Sequence, residues 1–330
     1  MADIKLGVSL YCYQDEFERH KMNLEDCIRA VADLGATGIE ILPEEMIRDP
    51  HHMTEKFLDQ WFGWMDKYGT EPVAADVFCD EKGLYQRMGR QATFEEAAAL
   101  QKSNIDMAAN LGCKYIRSQI RDLNLLRAVL PYAQEKNVII GIELHAPLSL
   151  KEDWIDEWYN VGEQMNLSQY LGLIPDFGVF EKRSTPIIIR QIIRDGASDL
   201  FKDEAQELVD AEWNWPDLEK HFKNKGADQA DMDLIWRIFN FKYNDPYLLR
   251  DLMPRVIGFH GKFWNMLEDL TEESVDYETP IKVICESDFR GYINSEYEGS
   301  RHIQDIEEVQ AVEQVRRHHA MMRNYIEKYS

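Results

Sequence analysis

Short apolar runs rich in β-branched residues recur along the chain, separated by longer stretches whose apolar residues return every three or four positions. The runs predict strands over residues 5–10, 38–42, 72–77, 114–118, 138–144, 171–176, 255–260 and 282–286. The longer stretches predict helices with legible ends. Asn23 is placed to cap a helix over residues 24–33. Thr93 and Glu96 have capping-box spacing ahead of a run carrying Ala97, Leu100, Met107 and Leu111 near one face, and Gly112 is a natural stop. A last helix over residues 306–328 is expected to turn Ile306, Val309 and Val312 inward. It gathers cations near its end, where the helix dipole favours them.

Eight strand-then-helix units with no Pro/Gly/Ser-rich linker predict an α/β fold, a single (β/α)₈ TIM barrel over residues 1–330. A doubly wound sheet shows the same alternation. No GxGxxG follows the first strand and no P-loop is present, which lowers that alternative. One stretch breaks the rhythm. Residues 180–250 are charged, helical in pattern and carry Trp213, Trp215 and Trp236, so they read as a helical insertion between strands six and seven. It is either an elaborated outer helix or a lid or docking surface, because insertions after barrel strands emerge on the catalytic face.

Charge narrows the function classes. Sixty acidic against 37 basic residues give a formal net charge of -23, the wrong sign for a protein that displaces counterions from a duplex. No apolar run approaches the roughly 20 residues of a membrane span, and the N-terminus lacks signal-peptide anatomy. Cys12, Cys27, Cys79, Cys113 and Cys285 are odd in number and lack metal-type spacing. They read as reduced thiols of a cytoplasmic protein.

Candidate chemistry sits at the ends of the late strands. Strand five closes with Glu143 and then His145, strand six with Asp176, strand seven with His260 and Lys262, and strand eight with Glu286 followed by Asp288 and Arg290. Each run is apolar until its C-terminal end, and in a barrel those ends converge on one mouth. Singly, a strand-end carboxylate is more often salt-bridged or capping, and a lone His near an apolar strand is usually a core residue. Four consecutive strands each supplying one ligand-type residue are a different matter. Glu143, Asp176, His260 and Glu286 are therefore the expected ligands of a divalent metal, Mn²⁺ before Mg²⁺ or Co²⁺, and the lack of thiolates argues against structural zinc. Three acids held together would repel without a cation.

The order Glu, Asp, His, Glu at the ends of strands five to eight resembles the xylose-isomerase-like barrels of sugar-phosphate isomerases and epimerases, over essentially the whole chain. There the four residues hold a metal that chelates adjacent sugar oxygens, and the resemblance carries that role onto Glu143, Asp176, His260 and Glu286. The segments GIELHAP, PDFGVF, FHGKFW, ESDFRGY and EYEGSRH are most similar to the α subunits of bacterial C-glycoside deglycosidases. That resemblance implies a small β-rich second subunit, an aromatic C-glycoside substrate and cleavage of a carbon–carbon bond.

His145 follows Glu143 by two positions, so strand alternation aims it at the same mouth, as a general base or as a group orienting a ligand. Lys262 shares a face with His260 and is a candidate for a substrate oxygen. Arg290 and Tyr297 are candidate sugar or aglycone contacts. With carbon as the linking atom, the paired-carboxylate logic of ordinary glycosidases fails. A ketone at C3 would instead acidify the C2 proton, and loss of that proton would expel the aryl group by β-elimination. The alternative is a ketose or keto-inositol epimerase, isomerase or dehydratase sharing the same deprotonation. A metal-dependent abasic-site endonuclease is opposed by the charge, and a non-enzymatic scaffold would make the four polar strand ends accidental.

Overall fold

The computed structural model describes residues 2–77, 89–240 and 242–330. Eight strands run in chain order: β1 Asp3–Ser9, β2 Gly38–Ile41, β3 Glu71–Asp76, β4 Tyr115–Ser118, β5 Ile139–Leu144, β6 Leu171–Pro175, β7 Phe259–Phe263 and β8 Arg290–Tyr297. All pairings are parallel, in the order β6-β5-β4-β3-β2-β1-β8-β7. Parallel bridges Leu173–Val256 and Asp176–His260 join the two outer strands, so the sheet nearly closes on itself as a (β/α)₈ barrel.

Inside the barrel the side chains form layers. The floor is an apolar plug of Val73, Ala74, Tyr115, Ile174 and Tyr292, packed against Ile139 and Ile257. Glycine makes room for it: a Cβ at Gly38 would strike the Tyr292 ring, and one at Gly172 would strike Ile257. Above the plug Asn294 donates to the Tyr115 hydroxyl at 3.3 Å and to Glu40 at 2.9 Å, marking the change to a charged layer.

Local signals set several elements. Helix Leu24–Asp33 starts with a capping box between Asn23 and Asp26, and helix Phe94–Asn110 with one between Thr93 and Glu96. Gly112 takes φ 75°, the left-handed conformation that glycine adopts without a Cβ penalty. Cys12, Cys27, Cys113 and Cys285 are free and buried, while Cys79 lies outside the described residues.

The eighth strand departs from expectation. Residues 282–286 belong to helix Glu278–Cys285 and its cap, which buries Ile281, Val283, Ile284 and Cys285. A short apolar run fits a buried helix turn as well as a strand, and Pro280 in the first turn suits the helix. The true β8 was hidden because it puts Asn294 and Glu296 into the barrel, so it reads as polar. The expected seventh strand is displaced toward residue 263 for a similar reason, since His260 and Lys262 lie within it. The last helix is Ala311–Tyr329 and buries Ala311, Val315, His318, His319, Met321 and Met322. Of the three residues expected inward, only Val309 is buried; Ile306 is 57% and Val312 41% exposed.

Between β6 and β7 the chain forms helices Pro186–Arg194, Lys202–Asp210, Trp215–Asn224 and Gln229–Phe239. They bury a cluster of their own around Ile189, Ala205, Leu218, Phe222, Leu234 and Ile235. Trp215 meets Trp236 edge-to-face, with ring centroids 4.6 Å apart. Arg237 bonds Glu181 at 3.0 Å, and Arg194 pairs with Asp305 at 2.9 Å, tying these helices to the segments after β6 and β8.

Candidate metal centre

Because alternate strand residues face inward, Glu143 of β5, His260 of β7 and Glu296 of β8 project into the mouth, and Asp176 joins them at the first position after β6. One ligand atom from each of these four residues lies within 4.8 Å of all the others, and all four side chains are buried. His260 Nδ1 is 2.8 Å from Glu143 Oε1 and 3.4 Å from Glu296 Oε1. Asp176 accepts a hydrogen bond from the Gly178 amide through Oδ1. Asp176 Oδ2 and Glu296 Oε2 are buried and accept none. Two buried carboxylate oxygens that accept no hydrogen bond and have only the Lys262 ammonium near them, at 3.5 and 3.8 Å, within a set of three acids and an imidazole, fit a hard divalent cation.

The cluster has a charged surround. His260 Nε2 faces Glu40 Oε2 at 3.2 Å. Arg117 lies between Asp76 Oδ1 at 3.1 Å and Glu143 Oε2 at 2.5 Å. Lys262, its side chain 14% exposed, puts Nζ 3.3 Å from Glu298, 3.5 Å from Asp176 and 3.8 Å from Glu296. Six carboxyls (Glu40, Asp76, Glu143, Asp176, Glu296, Glu298) thus face the cationic groups Arg117, His260 and Lys262.

Burial raises every carboxyl here, and neighbours decide the outcome. Arg117 and His260 outweigh burial at Glu143 and hold it well below the usual range. His260 and Lys262 likewise hold Glu296 down at about 2. Asp176 goes the other way, because burial and then the charges of Glu296 and Glu143 outweigh Lys262. Burial pushes Asp76 up to about 7 despite Arg117. Burial disfavours the charged imidazole of His260, but Glu40, Glu296 and Glu143 raise it well above its ordinary value.

The structure brings together Glu143, Asp176 and His260 but not Glu286. That residue caps the end of helix Glu278–Cys285, is 41% exposed in its side chain, and pairs with Arg250 at 2.9 Å. Glu296 occupies the corner expected of it. The signal for Glu296 was available in the inward alternation of GYINSEY, masked by that segment's polarity. Glu40, Asp76, Arg117 and Glu298 were also missed; the first three stand at inward positions of β2, β3 and β4.

Arg290 opens β8 opposite Asp3, at the N-terminal end of the barrel and away from the mouth, so the expected substrate contact is at the wrong end. Tyr297 ends β8 but faces outward. It stacks on Phe263 with centroids 5.1 Å apart and lines a groove of about 950 Å³ between helix Pro186–Arg194 and the segment after β8. That groove contains none of the four clustered residues. His145 stands just beyond β5, half-buried, its Nδ1 2.8 Å from the Ala146 carbonyl. A carbonyl can only accept, so Nδ1 is the donor here, and in the neutral ring Nε2 has the lone pair.

Residues 28–325 match the family model described as xylose isomerase-like TIM barrel. The chain belongs to that family. A protein of Arthrobacter globiformis named C-glycoside deglycosidase alpha subunit is 26% identical, covering 99% of this chain and 94% of its own. A 3'-dehydrocarminate deglycosidase alpha subunit of a Microbacterium species is also 26% identical, over 89% of this chain and 88% of its own. Among solved structures, an L-ribulose 3-epimerase superposes with TM-score 0.55 at 10% identity, covering 100% of this chain and 96% of its own. A sugar phosphate isomerase/epimerase of Parabacteroides distasonis gives 0.54 at 12% identity, over 97% and 96% of the two chains. These structural likenesses concern the fold alone. Within the described residues no helix is long and apolar enough to cross a membrane.

Proposed function

We propose that this chain is the metal-binding subunit of a carbon–carbon lyase that releases the aryl group of 3-oxo aromatic C-glucosides. The observation that carries the reading is near-full-length similarity to proteins named deglycosidase alpha subunits, combined with a buried Glu143–Asp176–His260–Glu296 cluster suited to a divalent cation. Those four residues would hold the cation, with Mn²⁺ the first choice. When bound, it would supply Lewis-acid stabilisation to an oxyanion developing beside it.

The chain's own groups supply the rest. His145 Nε2 takes the C2 proton of a substrate whose C3 is a ketone. The C–H electron pair forms the enolate, and its return forms the C1–C2 double bond as the C1–aryl bond breaks. The linking ring carbon takes up a proton, balancing the one lost from C2. The pair of the breaking C1–aryl bond passes into the ring, whose phenolic oxygens stabilise its protonated form, so the aryl group leaves as a phenol. Burial favours the neutral amine of Lys262, but Asp176, Glu298 and Glu296 hold it charged. Its ammonium can therefore face the growing negative charge at C3. A second, small β-rich subunit completes the assembly in this reading, since the relatives are named alpha subunits.

The test is His145→Ala assayed on a 3-oxo C-glucoside in the complex co-expressed with its second subunit. Loss of a positioned base typically costs about 10²–10⁴ in rate. Turnover should fall by that much while metal content stays at the wild-type level. Wild-type turnover in this variant would place the base elsewhere. A ketose or keto-inositol epimerase, isomerase or dehydratase with carboxylate bases would then be the better reading.

A further inference from the structure

The cluster on β5 to β8 does not hold itself in place. Glu143 has two oxygens with different surroundings. Oε1 faces His260 Nδ1 at 2.8 Å. Oε2 accepts from the Arg117 guanidinium and from Gln119 Nε2 at 3.3 Å. Through its other terminal nitrogen, Nη1, Arg117 is in turn ion-paired with Asp76 Oδ1 at 3.1 Å, and Asp76 is 1% exposed. A planar guanidinium gripped by two buried carboxyls has little rotational freedom. The carboxylate of Glu143 is thereby fixed in orientation as well as charge.

We propose that Arg117, anchored by Asp76, is the positioning residue that presents Glu143 to a divalent cation through Oε1 alone. The assignment rests on the metal reading of the cluster. With Oε2 occupied by the guanidinium, Glu143 contributes one oxygen, and coordination positions stay open for a substrate. Orientation and electrostatics make opposite predictions here, which gives the proposal a sign. A guanidinium beside a ligand carboxylate repels a cation, so deleting its charge should tighten metal binding if charge were its only effect. If Arg117 orients Glu143, deletion should weaken binding despite the lost repulsion, as removal of outer groups generally does.

The experiment titrates Mn²⁺ alone into the full chain by calorimetry, with circular dichroism to verify folding. Arg117→Met should bind Mn²⁺ about 10- to 100-fold more weakly than wild type. Because Arg117→Met leaves Asp76 buried without its partner and could fail to fold, the paired variant Asp76→Asn/Arg117→Met is measured too. It removes both charges together and should show a loss of the same size. Arg117→Lys keeps the charge without the fork and should lose less. Tighter or unchanged Mn²⁺ affinity in the folded paired variant overturns the assignment and leaves the metal reading standing. Failure of wild-type protein to take up Mn²⁺ overturns both.

Discussion

Strands β5 to β8 bring Glu143, Asp176, His260 and Glu296 to within 4.8 Å of one another, whereas β2 to β4 place Glu40, Asp76 and Arg117 around the outside of that cluster. Both halves of the rim are built by the same rule, alternate strand residues pointing inward above an apolar floor. They differ in what the inward groups face. The late half turns oxygens and an imidazole nitrogen toward a common centre. The early half turns its charges toward the late half: Glu40 toward His260 Nε2, and Arg117 toward Glu143 Oε2. Positioning by outer groups of this kind separates a cluster of acids from a site with fixed geometry.

The largest test of that division is at β8. Glu296→Gln removes a proposed ligand and should lower Mn²⁺ affinity by more than about 100-fold, beyond the usual effect of an outer group. Turnover should fall with it. Glu286→Gln, at the exposed Arg250 pair, should leave affinity and turnover at wild-type values and change stability by less than about 1 kcal/mol. Metal analysis and denaturant melts of the two variants decide the matter. Strong metal binding in Glu296→Gln would dissolve the cluster as the site.

That pair of variants also marks where the sequence was legible. Six of eight strands were readable in place, because a barrel strand buried on both faces is a near-continuous apolar run, while β7 overlapped its expected range only at residues 259–260. Glu143, Asp176 and His260 stood out as ionisable groups ending such runs. Strand β8 escaped because its interior face is polar, and KVIC in the preceding helix imitated a strand. The early-half residues lie within GIEI, VAAD and YIRS, where one charged residue in a short strand reads equally well as solvent-facing. Which side it faces is a matter of register, and register is tertiary information.

A smaller loss is expected in the early half at Glu40. As the carboxylate opposite His260 Nε2, it holds the ring so that Nδ1 faces the cluster. Glu40→Gln keeps the shape and removes the charge, and should weaken Mn²⁺ binding by about 10-fold, the low end for outer groups, because the amide still accepts a hydrogen bond. If its effect equalled that of Glu296→Gln, Glu40 would belong with the ligands, and the division between the halves would fail.

No effect on metal binding is expected behind the seam that β8 closes, where the consequence is for stability alone. The last helix buries His318 and His319, and His318 Nδ1 lies 2.8 Å from the Ser295 hydroxyl on β8. Burial, with Arg323 nearby, lowers His319 to about 3, against about 6.5 in an unfolded chain. The folded state thus keeps the ring neutral while the unfolded state takes up a proton in mild acid. The stabilisation is complete above about pH 6.5 and is lost as pH falls from there toward 3, at up to about 1.4 kcal/mol per pH unit. Asp76 works in the opposite direction, since its raised folded pKa binds a proton below about 7 before the unfolded carboxyl does, adding stability as pH falls toward 4. Wild-type melts mix these signs, so the variant difference is the useful measurement. His319→Gln should be less stable than wild type at pH 7 and recover relative to it with each step into acid. Parallel stability curves for the two proteins between pH 7 and 4 would show that His319 protonation is not what acid acts on. Acid sensitivity would then belong to other groups, either His318 of the same helix, which burial also lowers, or the rim inside the barrel.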